Sequence, residues 1–243
     1  AFSDSQTMSV ILYNGHQKGC ASTSDLSARA LDNLIDAAWH IAQVSAVDPC
    51  FGLAEAHLLC KQPPDLGLCH LWSLSPEDAI RLAIACETEA LSQDAAIVNS
   101  EGVNVSTYTD CNGYANTRGA NGVVMSTRHQ MSCSLIAQGR DKKLQRDYDY
   151  TVGRRSDALM STSQLAQKAA ERTVKRLGAR KLKTQQAPVL FEARIATHLI
   201  SSFIGAISGR NLYQKQSFLV DSLGKQLFPE WFHLQEHPYI VGA

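Results

Sequence analysis

The sequence has no excess of charge of either sign, since 23 lysines and arginines balance 23 aspartates and glutamates. Proteins that bind the phosphate backbone of nucleic acids usually carry a basic excess, so we expect no direct nucleic-acid binding. The sequence also lacks an apolar run of the roughly 18 residues that a membrane-spanning helix requires. We therefore expect no membrane contact, and we expect a cytoplasmic protein because the cysteine pattern described next is typical of reduced thiols.

Closely spaced cysteine pairs are missing as well. The seven cysteines are odd in number and scattered along the chain, at Cys20, Cys50, Cys60, Cys69, Cys86, Cys111 and Cys133. A disulfide scaffold or a structural zinc site usually needs an even or tightly clustered set, so we predict reduced thiols. The patterns GxSxG and GxxxxGK[ST] are also absent, which argues against a nucleophile elbow and a phosphate-binding loop.

What is present is the composition of an ordinary globular protein, with 44% hydrophobic and 19% charged residues in a chain of 243. A chain of this length buries a sizeable core. Strand-like and helix-like patterns occur in separate runs, which predicts the α+β class.

Local signals predict one hairpin and one helix near the start of the chain. Residues 8–13 and 18–21 have strand character and flank a turn at Asn14-Gly15. A helix follows and extends to about residue 44, with Ser24 or Asp25 as its N-cap.

The middle of the chain predicts a helix, a group of strands and a second helix, after an extended connection over residues 50–75. The first helix begins at Ser75-Pro76 and the second spans about residues 161–177. Acids alternate with tyrosines over residues 147–150, which is typical of a strand with one solvated face. Strands are predicted at 103–109, 122–129, 132–137 and 146–152, with hairpin turns at Asn112-Gly113 and Asn121-Gly122.

The stretch from residue 187 to residue 230 organises the last part of the chain. Val189–Phe191 is a short apolar run that predicts a buried strand. Gly205 and Gly209 are small residues that allow a partner surface to approach closely. Between these two features a helix is predicted by apolar residues that recur mostly at three- and four-residue steps, namely Ile195, Leu199, Ile200, Phe203 and Ile204.

Several long motifs, in this order, resemble one known family. They are KGCASTSDLS at 18–27, STRH at 126–129, RDYDYTVGR at 146–154, GAISG at 205–209, DSLGKQ at 221–226 and PEW at 229–231. On these residues the chain is identified as a member of the TldD/PmbA family, in the PmbA branch that is also called TldE. The resemblance implies mixed or antiparallel sheets with flanking helices, in a fragment of a larger chain.

The resemblance and the element pattern together predict three domains or parts of domains. Residues 1–55 are expected to end an N-terminal α/β domain. Residues 56–183 are expected to form a middle domain of helix, antiparallel strands and helix, and residues 184–243 to begin a C-terminal domain.

In the family, the TldD branch is a metallopeptidase with an HExxxH motif on the helix after the strand. Aligned on Gly205, the three motif positions in this chain are Ser201, Ser202 and Ala206. Serine is a poor zinc ligand and alanine is none, so we expect neither a metal nor catalytic residues here. His198 lies three residues too early, and a lone histidine beside an apolar helix face is more often packed or hydrogen-bonded than a ligand.

The resemblance implies a non-catalytic subunit that pairs with a TldD-like subunit, which binds the zinc. Such a pair degrades unfolded or short peptides and processes modified peptides. Two alternatives stay open, namely a metallopeptidase in its own right with ligands outside this fragment, and a non-enzymatic regulator of DNA gyrase. Self-association of the fragment through an unpaired strand edge is a further expectation.

Four residues are candidates for contact with peptide: Arg128, His129, Gly205 and Gly209. Arg128 could hold a peptide carboxylate through two hydrogen bonds, and His129 could carry a proton. Alternation along the predicted strand also fits an ordinary β-strand with one solvated face. Both interpretations remain open from the sequence alone.

The thiol prediction can be tested by mass spectrometry. Alkylation of the denatured protein without reductant should add seven alkyl groups, because we expect all seven cysteines to be reduced. A protein pre-treated with reductant serves as the control for complete alkylation. Two fewer additions in the untreated sample would reveal a disulfide bridge.

Overall fold

The structure is a computed structural model that describes residues 2–60 and 63–243. It confirms the α+β prediction, with strands and helices in largely separate runs. The strands are β1 (Met8–Asn14), β2 (Gln17–Thr23), β3 (Ile97–Ala115), β4 (Asn121–Gln138) and β5 (Leu144–Gly153). The helices are α1 (Ala28–Val44), α2 (Pro76–Ser92), α3 (Thr162–Lys175), α4 (Ala193–Ile207) and the short α5 (Gly209–Tyr213). Within the described ranges, no helix combines the length and the apolar character needed to cross a bilayer.

Contacts divide the chain into two compact units. The first comprises the residues up to Cys69 together with Thr109–Thr127, and the second comprises His70–Tyr108 together with Arg128–Ala243. Strands β3 and β4 therefore contribute residues to both units. The three-part division predicted from the sequence stays a prediction.

In the first unit, α1 packs on the antiparallel hairpin of β1 and β2. The turn at Asn14-Gly15 is confirmed, since Asn14 pairs with Gln17 and Gly15 has a φ of +61°. The predicted N-cap of α1 is wrong by two or three residues. Ser27 is the cap, and its hydroxyl accepts a hydrogen bond from the amide of Ala30. Asp25 instead accepts a hydrogen bond from the Ser27 amide at 2.8 Å and thus holds the turn before the helix.

The closest approach between the hairpin and α1 is at Gly19. A Cβ atom at this position would lie 1.8 Å from the carbonyl oxygen of Ala38 and 2.6 Å from the amide nitrogen of Ala42. Both atoms belong to the helix backbone, so a rotamer change cannot relieve the clash. Ala38 and Ala42 are completely buried, because the small side chains of both residues let the helix lie directly on the strand.

In the second unit, α2 and α3 pack together, and α3 also packs against β5. The predicted start of α2 is confirmed, with Ser75 as N-cap and Pro76 in the first turn. The start of α3 at Ser161 is confirmed too, and it is a complete capping box with Gln164. The core is made of apolar residues from the helices and the covered face of the sheet, namely Cys86, Ala90, Ile97, Met131, Cys133, Leu135, Leu165, Ala166, Ala169 and Ala170.

Strands β3 and β4 correct the predictions for this region. The predicted strands 122–129 and 132–137 form one continuous strand, and both predicted turns are wrong, since Asn112-Gly113 lies inside β3 and Asn121-Gly122 begins β4. The hairpin turn is at residues 116–120, where the side chain of Asn116 accepts hydrogen bonds from the amides of Arg118 and Ala120. An asparagine side chain that satisfies two turn amides stabilises this turn over the Asn-Gly alternative.

The apolar run Val189–Phe191 is not the buried strand that its composition predicts. It has no strand conformation, and Leu190 is 98% exposed. An apolar run forms a strand only if a neighbouring strand satisfies its backbone, and the described chain places none beside it. The helix predicted after this run is confirmed as α4.

The beginning of α4 is held against the sheet and α3 by two ion pairs. Nη1 of Arg172 on α3 lies 3.0 Å from Oε1 of Glu192, the N-cap of α4. Two residues further on, in the first turn of the helix, Arg194 pairs with the nearly buried carboxylate of Asp149 and lies 4.4 Å from the ring centroid of Tyr150. These contacts set the position of α4 relative to β5.

The alternation along β5 has its acids on the covered face and its tyrosines on the open face. Each acid also accepts a hydrogen bond from the next backbone amide, at 2.8 Å for Asp147 and 2.9 Å for Asp149. Arg176 of α3 lies 3.1 Å from Asp147. Burial raises the pKa of Asp147, but the Tyr148 amide and the Arg176 guanidinium outweigh burial and lower this pKa below its ordinary value.

The Gly19 contact predicts a large effect of a single methyl group. Gly19→Ala should destabilise the protein by about 1–3 kcal/mol or more, because the helix must move away from the strand. Gly113→Ala is the matched control in the same unit, since the nearest atom to its Cβ would be 3.9 Å away. Urea denaturation followed by circular dichroism measures both. Equal midpoints for the two variants would show that α1 does not pack on Gly19 as described.

The ion pair of Asp147 predicts a pH-dependent contribution to stability. Since its pKa is lowered by folding, the stabilisation is full above the ordinary aspartate pKa near 3.8 and is lost as the pH falls through the lowered value. Asp147→Asn should therefore lower the free energy of unfolding at pH 7 by about 1–3 kcal/mol, with a much smaller loss near pH 2. The control is Asp141→Asn, because that carboxylate is half exposed in a turn, where Lys143 is its ion-pair partner among the described residues. A loss that is unchanged between the two pH values would contradict the ionic explanation.

Candidate functional site

Helix α4 carries the three positions that the sequence aligned with a metal motif. The hydroxyl of Ser201 donates a hydrogen bond to the carbonyl oxygen of Thr197 at 3.0 Å, and that of Ser202 donates to the carbonyl oxygen of His198 at 2.9 Å. Both serines thus bond to their own helix four residues back. Ala206 has no donor atom, so the three positions present only hydroxyls that already serve the helix backbone.

These side chains do not fit a zinc ion. Adjacent residues of a helix point about 100° apart, so Ser201 and Ser202 cannot face one metal from a regular helix. Hydroxyl groups are weak zinc ligands in comparison with imidazole, thiolate and carboxylate. In the part of the chain that the structure describes, no group of three or more His, Cys, Asp or Glu side chains lies close enough to hold a metal.

The two candidate glycines lie at the end of α4 and the start of α5. A Cβ atom at Gly205 or Gly209 would have no heavy atom within 4 Å. The carbonyl oxygen of Gly205 accepts hydrogen bonds from the Ser208 amide at 3.3 Å and from the Asn211 side chain at 2.7 Å. Packing within this chain therefore does not require glycine at either position. The role of both residues in peptide contact stays a prediction.

His129 lies on the covered face of β4 and is completely buried. Its Nδ1 lies 2.7 Å from the hydroxyl of Thr107, and its Nε2 lies 2.9 Å from the carbonyl oxygen of His70. Nε2 therefore donates to the carbonyl, and in the neutral imidazole Nδ1 accepts from the hydroxyl. The rings of Trp72 and His129 are nearly perpendicular, with their centroids 5.4 Å apart. His129 is thus closed to solvent, with His70 and Trp72 among the residues against it, and its predicted role stays a prediction.

Arg128, the neighbouring residue, points to the other face of the strand. It is exposed, and its guanidinium lies over the ring of Tyr108 at 5.1 Å from the centroid. Across the described residues it forms no ion pair. The structure thus separates the candidates Arg128 and His129, with the arginine open to solvent and the histidine in the interior.

A cavity of about 480 Å³ lies beside the free edge of β5. It is bordered by Asp149 and Tyr150 of the strand, by Lys168 and Arg172 of α3, and by Arg194 of α4. Sequence reasoning missed these basic residues. The four-residue spacing of Lys168 and Arg172 does place both on one helix face, but only the fold brings Arg194 to them.

A second cavity, of about 420 Å³, lies between α4 and the segment that follows α5. Its aromatic wall joins Phe203 of α4 to Phe228 at 4.8 Å and Phe228 to Phe232 at 4.5 Å between ring centroids. Edge-on and offset contacts of this kind stabilise aromatic clusters. The cluster therefore ties the last part of the chain to the helix that carries Ser201 and Ser202.

Two family models match the chain. The PmbA/TldA metallopeptidase central domain matches residues 69–177, and the PmbA/TldA metallopeptidase C-terminal domain matches residues 184–243. Together these matches cover well over half of the chain.

Curated relatives match along nearly the whole chain. A metalloprotease PmbA homolog of Haemophilus influenzae is 40% identical over 240 residues, which are 99% of this chain and 53% of that protein. Metalloprotease PmbA of Escherichia coli O157:H7 is 38% identical over 240 residues, with the same coverage. The chain thus spans about half the length of the curated relatives it matches.

Solved structures show the same fold. A putative modulator of DNA gyrase from Bacteroides thetaiotaomicron has a TM-score of 0.85 at 27% identity, over 97% of this chain and 54% of that one. TldE from Thermococcus kodakarensis has a TM-score of 0.59 at 14% identity, over 84% and 46%. At 14% identity this second likeness concerns the fold alone. The resemblance noted from the sequence motifs is confirmed, and the chain belongs to the PmbA/TldD metallopeptidase family.

Proposed function

We propose that the protein containing this chain is a PmbA/TldE-like subunit of a TldD/TldE metallopeptidase complex and itself holds no catalytic metal. In this complex a TldD-like subunit binds the zinc, and both subunits enclose unfolded, short or modified peptides in the cytoplasm. The proposal rests on one observation above all. The hydroxyls of Ser201 and Ser202 bond to their own helix backbone, and Ala206 offers no ligand atom.

A helix without ligands but with a well-defined position supports a structural role at the peptide cavity. Arg172 pairs with Glu192, the N-cap of α4, and Asp149 binds Arg194 two residues further on. At the other end, Gly205 leaves open space that a bulkier side chain could fill without a clash in this chain. A partner surface that approaches this end of the helix would explain a small residue there.

The structure also bears on how peptides would be held. Addition of a peptide strand to a sheet edge needs free backbone amides. The amides of Tyr148 and Tyr150 on β5 are already bonded by the side chains of Asp147 and Asp149. Strand addition along this part of β5 is therefore disfavoured. The open face of the sheet, with Arg128, is the surface that remains for peptide binding.

Peptide hydrolysis by reconstituted proteins tests the proposal. The full-length protein alone should be inactive and free of stoichiometric zinc, and its mixture with a TldD-like partner should hydrolyse short peptides. Replacement of both serines, Ser201→Ala with Ser202→Ala, should leave the activity of the mixture within about twofold, because neither hydroxyl is a metal ligand in the proposal.

The alternatives give different results in the same experiment. Hydrolysis by the full-length protein alone that a chelator abolishes would support a metallopeptidase in its own right. Association with DNA gyrase, together with inactivity of every mixture with TldD-like proteins, would support the regulator instead. Either result would overturn the proposed role.

A further inference from the structure

The three-stranded sheet of the second unit has one covered face and one open face. Odd-numbered residues of β4 from His129 to Ala137 are buried, whereas even-numbered residues from Arg128 onward keep partial or full exposure. Strand register places Gln130, Ser132 and Ser134 opposite Val152, Tyr150 and Tyr148 of β5. The open face is thus a polar floor of hydroxyls and an amide, with tyrosines along one side.

One unpaired cation lies at the end of this floor. Arg128 is seated on Tyr108, which is 47% exposed, and has no carboxylate partner in the described chain. Two other arginines near the face are paired with acids, Arg146 with Glu101 at 3.0 Å and Arg194 with Asp149. The even-numbered residues of β4 and β5 include no acid, and on β3 the acid nearest in sequence to Tyr108 is Asp110, two residues further along the strand. Arg128 therefore keeps a positive charge without an acid partner among the described residues.

The dimensions of the floor suit an extended peptide. From Arg128 to Ser134 the strand rises about 20 Å, which is the length of about six extended residues. Gln130, Ser132 and Ser134 can donate to and accept from peptide main-chain groups. Tyr148 and Tyr150 are stacked with centroids 6.4 Å apart and are 51% and 38% exposed. Exposed tyrosines of this kind contact varied ligands at a low entropic cost.

We propose that this open face binds an extended peptide whose C-terminal carboxylate is held by Arg128 on its Tyr108 seat. We assign the anion as the C-terminal carboxylate because the polar groups of this face bind the peptide main chain. The main chain and the C-terminal carboxylate are features of every peptide, whatever its sequence. A planar guanidinium binds a carboxylate through two parallel hydrogen bonds, and the aromatic ring below holds it in place. This assignment rests on the proposed role in peptide handling and names the end of the substrate that this subunit holds.

Three acetylated hexapeptides of alanine and serine separate the sources of negative charge. The first has a free C-terminal carboxylate, the second a C-terminal amide, and the third a C-terminal amide with glutamate as its last residue. Binding to the full-length protein is measured by isothermal titration calorimetry. The free acid should bind about tenfold more tightly than either amide, which corresponds to about 1.4 kcal/mol.

Variants locate this preference on the sheet. Arg128→Gln should remove the difference in affinity between the free-acid and amide peptides. Arg128→Lys should retain part of this difference, since lysine keeps the charge but cannot donate the two parallel hydrogen bonds of a guanidinium. Arg146→Gln is the matched control, because Arg146 lies on the same face but is already paired with Glu101. It should leave the tenfold ratio unchanged. Thermal melts of each variant separate loss of binding from loss of folding.

Several results would overturn the inference. They are equal binding of acid and amide, preference for the glutamate peptide, an equal loss in the Arg146→Gln control, or no binding of any of the three peptides. Hydrolysis by the mixture with a TldD-like partner is measured separately. The peptide site can therefore fail while the proposed subunit role stands, and the role can fail while the site stands.

Discussion

The carboxylate of Asp149 is the point on which the arrangement of the second unit depends. It is 6% exposed at the free edge of the sheet, where an unpaired charge would be costly. The Tyr150 amide and the Arg194 guanidinium satisfy it. Because Arg194 belongs to α4, the requirement to pair a buried carboxylate also determines where this helix begins.

The same constraint separates the two faces of the sheet. Since Asp147 and Asp149 point toward α3 and α4 and bind arginines there, Tyr148 and Tyr150 must point to the open side. The acids also occupy two backbone amides of an edge strand, which protects that edge from pairing with another chain. Residues 147–150 of β5 thus position α4, hinder strand pairing at the free edge of the sheet and form one side of the open face.

The helix at the centre of the family resemblance keeps its position without the groups that bind a metal. Its serines stabilise the helix by bonds to preceding carbonyls, and its N-terminus is held by ion pairs from α3 and β5. Aromatic contacts from Phe203 to Phe228 hold its other half. So many contacts to α4 are expected if this helix forms part of a cavity wall and the residues that perform the chemistry lie elsewhere.

Features whose signals are local could be predicted from the sequence alone. Ser75-Pro76 and the capping box at Ser161 predict helix starts because the partners of their polar groups lie within three residues. The motifs around Gly205 and DSLGKQ identified the family for a similar reason, since they are contiguous and specific. The candidate Arg128 was also visible, but its lack of an ionic partner was not.

Features that depend on partners distant in the sequence could be assigned only from the folded chain. The alternation over 147–150 predicts a strand with two unlike faces, yet the acids lie on the covered side because Arg176 and Arg194 are there to receive them. Val189–Phe191 has the composition of a strand but no neighbouring strand in the described chain to satisfy its backbone. His129 lies in the interior because Thr107 and the His70 carbonyl bond both ring nitrogens. Burial of a polar group is decided by the partner that satisfies it, and the position of that partner is a property of the folded chain.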